Sequence, residues 1–141
     1  MGQQDTLGFL LADVSRLMRR AFQQRLEGSD LTLAQARTLV RISRHQGIRQ
    51  VELAELLEIQ PITLARLIDQ LAACGLVERR NDPLDRRAYQ LFLTAAAAPQ
   101  LDAIQRVGEA IRIDALQGFS TEEAAQVMMA LRKVRENLGA R

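Results

Sequence analysis

Residues 60–94, QPITLARLIDQLAACGLVERRNDPLDRRAYQLFLT, change periodicity part-way along, and that change restricts what the chain can fold into. After Pro61, the residues Ile62, Leu64, Leu67, Ile68 and Leu71 recur at three- and four-residue spacing, the stripe of a helix with one buried face. Gly75 is a C-terminal stop. The period then becomes two: Leu76 and Val77 on one side and Tyr89, Leu91 and Leu93 on the other flank NDPLDRR, whose Asn, Asp and Pro suit a turn. The reading is a helix over 61–74 feeding a two-stranded ribbon whose tip carries arginine.

Upstream, Val51, Leu53, Ala54, Leu56 and Leu57 mark a shorter amphipathic helix over 50–57, and Ile59-Gln60-Pro61 interrupts it. Two short helices joined by about three residues form a helix-turn-helix, whose second helix enters the DNA major groove. With the ribbon the unit is a winged helix, and Ile48-Arg49 supplies a short first strand to a three-stranded sheet. Gln60, Ile62, Thr63 and Arg66 fall at the start of the second helix, where side chains reach base edges. Arg66 is open to three uses: a guanine, a phosphate, or an i,i+3 ion pair with Asp69. Arg86 and Arg87 at the ribbon turn are set to enter a minor groove, with Arg79 further back on the ribbon. A solvated charged hairpin is the plain alternative. Glu52, Glu55 and Glu58 would repel phosphate, so the 50–57 helix backs its neighbour and does not enter a groove.

These residues resemble the MarR-type transcriptional regulators over nearly the whole chain. The resemblance is carried by GFLLADVSRLMRRAFQQRL, LTLAQARTLVRIS, VELAELLEIQPITLARLIDQLAACGLVERR and, most specifically, the wing NDPLDRRAYQLFLT. It implies a mainly α fold with a small β-wing: a winged helix-turn-helix DNA-binding lobe at 31–98, and a helical dimerisation region at 1–30 and 100–141. It implies a wing-tip arginine, here Arg86, in the minor groove, and an aspartate, here Asp85, pairing with a nearby arginine, with Asp82 as a second support of the wing. Pro83-Leu84 stands where a polar or charged pair is commoner in the family. It also implies a repressor released by a small aromatic or anionic effector, bound near Phe9, Arg16, Phe22 and Arg41. Family members that sense oxidants carry the sensing cysteine in the first helix, and this first helix has none.

The remaining chain is helical. Thr6 opens a helix over 6–26 with a broad apolar stripe of Leu7, Leu10, Leu11, Val14, Leu17, Met18, Phe22 and Leu26; the resemblance implies that it packs against a dimer mate and its own DNA-binding lobe, and a helix that simply closes its own core is the plain alternative. Thr32 caps a second helix over 33–45. Cys74, next to Leu71, reads as a small buried hydrophobe. Thr94 reads as the cap of a long fifth helix, which makes Pro99 deep enough to kink it. Ser120 with Glu123 is a capping box for a sixth helix. The first, fifth and sixth helices together carry more apolar face than a small winged lobe can cover, which argues for a homodimer.

With 141 residues, 48% hydrophobic and 26% charged, the chain is an ordinary single domain. Its net charge of +2 permits nucleic-acid binding without arguing for it. All basic residues but Lys133 are arginine, whose forked donors suit phosphate and guanine; a biased genome composition explains the excess equally well. One cysteine and one histidine exclude a disulfide framework and a Cys/His metal cluster, and there is no Ser/His/Asp set or glycine-rich phosphate loop. The expectation is therefore a non-enzymatic protein with no cofactor and no metal. No apolar run is long enough for a bilayer and no signal peptide opens the chain, which points to the cytoplasm. The partners expected are a double-stranded DNA operator, a second copy of the chain and a small effector. The rival reading is a winged-helix protein-protein interaction module without DNA contact.

Overall fold

The computed structural model describes residues 5–140. Six helices and one small sheet follow in the order α1 Leu7–Leu26, α2 Leu33–Arg44, β1 Ile48–Arg49, α3 Gln50–Leu57, α4 Pro61–Ala73, β2 Val77–Asp82, β3 Asp85–Leu93, α5 Ala97–Ala115 and α6 Thr121–Gly139. The sheet is antiparallel with strand order β1-β3-β2. Ile48 lies opposite Leu91, Arg79 opposite Leu91 from the other side, and Val77 opposite Leu93. Two compact units divide inside α5, one running to Gly108 and the other starting at Glu109. The ends of the domain ranges expected from sequence, residues 1–4 and 141, lie outside the described residues.

Side-chain caps set the starts of α1 and α2. Thr6 accepts the Phe9 N–H at 3.2 Å, and Thr32 accepts the Gln35 N–H at 3.1 Å while the Gln35 side chain takes the Thr32 N–H. α3 ends on Glu58, a non-glycine residue at φ 55, whose left-handed turn redirects the chain into α4 after three residues. Pro61 is the first residue of α4, where its missing N–H would have had no intrahelical partner.

In the larger unit the apolar stripes meet. Leu39 and Ile42 of α2, Leu53 of α3, Leu64, Ile68 and Leu71 of α4, and Leu91 of β3 are fully buried together. Thr38 is buried among them, and its hydroxyl donates to the Ala34 carbonyl at 2.8 Å, so its polar atom has a partner. Ala97 and Ile104 of α5 close this core. α1 contributes little to it: Leu26 is buried and Phe22 half-buried, while Leu7, Phe9, Leu10, Leu11, Val14, Leu17 and Met18 are exposed. In the smaller unit, Ser120 caps α6 by accepting the Glu123 N–H at 3.1 Å. α6 buries none of its residues and leaves Met128, Met129, Leu131 and Leu138 bare.

Two expectations are corrected. Thr94 is not the cap of the fifth helix, because its hydroxyl donates to the Gly75 carbonyl at 2.5 Å and its N–H to the Leu76 carbonyl at 3.0 Å. α5 therefore begins at Ala97, Pro99 falls in the first turn, and the expected kink loses its cause, since no N–H is required there. Cys74 is exposed rather than buried: it is the residue after α4, where the chain turns through Gly75 at φ 75 and the helix no longer aims side chains at the core.

Candidate nucleic-acid interface

The core-facing residues of α4 determine what its other side presents. With Leu64, Ile68 and Leu71 buried, Gln60, Ile62, Thr63 and Arg66 are all exposed at and after the start of the helix, and Asp69 and Gln70 continue the polar face. Gln35 of α2 donates to the Gln70 side chain at 3.1 Å. Of the alternatives open to Arg66, the ion pair with Asp69 is superseded: Asp69 instead takes Arg79, at 2.7 Å.

Arg79 is expected among the DNA contacts, and its guanidinium is held within the lobe. Nε donates to the Gln50 side chain of α3 at 2.9 Å, one terminal nitrogen meets Asp69 of α4, and the other donates to the Ala65 carbonyl of α4 at 3.2 Å. The same group lies 5.9 Å from the Tyr89 ring centre on β3. One side chain thereby ties α3, α4 and both long strands of the wing into one frame, with only a quarter of it left exposed.

The wing is a tight hairpin. Asp82 pairs across it with Asp85, so Pro83 and Leu84 alone form the turn, and a register irregularity between Asn81 and Asp82 adjusts the strand before it. Asp82 is buried. Its two oxygens accept the Leu84 N–H at 2.8 Å and the Arg49 Nε at 2.7 Å. The Leu84 N–H acts most strongly to hold the Asp82 carboxyl below its ordinary value; burial opposes this, and Arg49 adds to the lowering. Asp85 accepts the Arg87 N–H at 3.0 Å and lies 3.5 Å from its Nε. Arg86 and Arg87 project from this support, the Arg87 side chain being 93% exposed. Further along the ribbon Arg80 lies over Phe92, 4.1 Å from the ring centre, and pairs with Glu78 at 3.2 Å.

Arg49, Gln50 and Tyr89 brace the wing against the lobe, and none of them is a site residue on sequence grounds. Arg49 meets a partner thirty-three positions away, which no local pattern encodes. A cavity of about 260 Å³ opens beside them, lined by Arg49, Val51, Pro61, Asp85, Arg87 and Tyr89 among others, between the start of α4 and the wing. The four residues expected at an effector pocket lie elsewhere. Phe9 and Arg41 are exposed, Arg16 is 3.8 Å from Asp13 on its own helix, and Phe22 packs on the core next to Gly108.

The paired short helices and the wing have counterparts among known proteins. A sequence profile for the MarR family matches residues 31–89, the stretch from the start of α2 to the middle of β3. A crystal structure of MarR is 30% identical to the chain, with 99% of this chain and 95% of the other covered and a TM-score of 0.89. The chain belongs to the MarR family. Wild-type MarR from E. coli in its apo form is 28% identical over 92% of this chain and 96% of its own, with a TM-score of 0.82. A MarR transcriptional regulator from Methanosarcina mazei Go1 is 25% identical over 93% and 94%, with a TM-score of 0.83. The helices and the three-stranded sheet described above are the winged-helix fold of MarR-family transcriptional regulators. None of the helices among the described residues is long and apolar enough to cross a membrane.

Proposed function

We propose that this MarR-family chain is a homodimeric, sequence-specific DNA-binding regulator acting in the cytoplasm, a repressor released from a near-palindromic operator by a small effector. The observation that carries this reading is the rigid coupling of two cationic presentations. The exposed start of α4, with Gln60, Ile62, Thr63 and Arg66, and the wing tip, with Arg86 and Arg87, are joined through Arg79 and through the Arg49 to Asp82 bond. A helix in a major groove and a ribbon in the adjacent minor groove must keep a constant separation, and this frame supplies it. Asp82 and Asp85 serve as wing supports, and Arg79 serves the interface by holding α4 and the wing in register.

Dimerisation is supported by the bare apolar side chains along α1 and, separately, along α6, since large exposed apolar patches are uncommon on soluble monomers. A two-fold pair would set recognition helices about 34 Å apart, or a multiple of one DNA turn. The effector is proposed to bind near Phe9, Arg16, Phe22 and Arg41, between the dimer helices and the winged lobe, with the open cavity between α4 and the wing as a second candidate.

The direct test is a mobility shift with the DNA flanking the protein's own gene, repeated across salt concentrations and with small aromatic carboxylates. Affinity should fall steeply with salt, with a logarithmic slope of about 0.9 per phosphate contact. Salt-independent behaviour, or no shift at all, would favour a protein-protein interaction module.

A further inference from the structure

We infer that Leu84 is itself a DNA contact, an apolar side chain that the wing carries into the minor groove beside Arg86; this rests on the reading of the chain as an operator-binding regulator. Leu84 is 91% exposed, the barest large hydrophobic side chain among the described residues. A single exposed leucine is ordinary on a protein surface, so its exposure alone has no weight. Its mounting is what distinguishes it. The Leu84 N–H is held by Asp82, a residue only 4% exposed, whose other oxygen is held by Arg49 of the lobe. Pro83 restricts the turn from the other side, and Asp85 immediately after is tied to the Arg87 N–H. A buried carboxylate thus fixes the backbone of a residue whose side chain contributes nothing to the core.

The surroundings of that side chain identify what it meets. Arg86 and Arg87 follow it within three residues, both exposed, so the tip suits a partner that is anionic at its edges and apolar between them. The minor groove has this character. It is about 6 Å wide, its rims are phosphate, its walls are deoxyribose rings, and leucine and proline are among the side chains that proteins insert there. An anionic membrane offers the same two chemistries, but one leucine is far too small an anchor for a bilayer. The wing is also fixed to α4 by Arg79, so a duplex bound by the helix comes within reach of the tip.

The test compares wild type, Leu84→Ala, Leu84→Met and Arg86→Ala by fluorescence anisotropy on one operator over a salt series, with thermal melts of each and a flotation assay on anionic phosphatidylserine vesicles. Leu84→Ala should weaken operator binding roughly 5- to 20-fold at every salt concentration, giving a line parallel to wild type, because the lost contact is apolar. Leu84→Met should recover most of the loss. Arg86→Ala should lower the slope itself, by about 0.9. Wild-type affinity in Leu84→Ala overturns the inference while leaving the regulator reading intact, and so does a Leu84-dependent association with vesicles that has no counterpart on the operator. Failure of the wild type to bind operator at all removes the regulator reading first, a different and separately visible outcome.

Discussion

The Asp82 carboxylate and the Arg49 guanidinium, 2.7 Å apart, fasten the turn of the wing to the junction between β1 and α3. The other Asp82 oxygen holds the Leu84 N–H, so the same carboxylate is anchored to the lobe and shapes the hairpin tip. Removing its charge should loosen the tip without unfolding the protein. Asp82→Asn is expected to weaken operator binding while the far-ultraviolet circular dichroism stays that of wild type.

The same residue gives a pH dependence of known sign. Its folded-state pKa is depressed below the ordinary 3.8, chiefly by the Leu84 N–H and further by Arg49. The unfolded chain therefore binds the proton more readily, and the stabilisation is complete above the ordinary value and lost as pH falls through the depressed one. Denaturant titrations of wild type and Asp82→Asn should show a gap at neutral pH that closes on acidification below about pH 4. A gap that widens in acid would contradict the assignment.

Arg86 and Arg79 should part company when each is removed. Arg86→Ala, with its side chain in solvent, is expected to cost about 1 to 3 kcal/mol of operator affinity and to leave the melting temperature unchanged.

Arg79→Met should do the reverse in part. It removes the bonds to Gln50, Asp69 and Ala65 at once, so stability should fall, by roughly 1 to 2 kcal/mol given how much of Asp69 is open to water. Operator affinity should fall with it, but the salt slope should match wild type, because no phosphate contact is lost. A reduced slope in Arg79→Met would mean that this arginine touches DNA directly.

The bare stripe of α1 makes a prediction about assembly. Leu10→Asp together with Leu17→Asp puts charge on two exposed apolar positions that the chain's own core does not use. If the proposed dimer forms through this face, sedimentation of the variant should report a monomer, and its melting temperature should fall below that of wild type. An unchanged dimer would move the interface off this face.

The core is the simplest case. Leu39 and Leu64 are fully buried in the cluster that aligns α2 with α4, and either one changed to alanine should cost about 2 to 5 kcal/mol in chemical denaturation.

Much of this could be read along the chain because its causes are local. The spacing of Leu64, Ile68 and Leu71 specifies which side of α4 faces inward, and so which residues it presents outward, whatever the rest of the molecule does. Caps at Thr6, Thr32 and Ser120, the first-turn Pro61, and the switch from helical to alternating period after Gly75 depend on neighbours within a few positions. That is why the winged helix and its exposed residues are legible in the sequence alone.

What long-range contacts alter has the opposite origin. Thr94 has the side chain of a helix cap, but the returning strand brings it against the Gly75 carbonyl, and that bond moves the helix start and makes Pro99 harmless. Arg79 looks like any other wing arginine until α3 and α4 converge on it from 29 and 14 residues away. The sequence by itself determined the elements, their buried faces and the cationic character of the tip. Only the tertiary structure decided which charges are spent inside the lobe and which remain for a partner, because an ion pair or hydrogen bond requires its two groups within a few ångströms, a condition that the folded chain alone can meet.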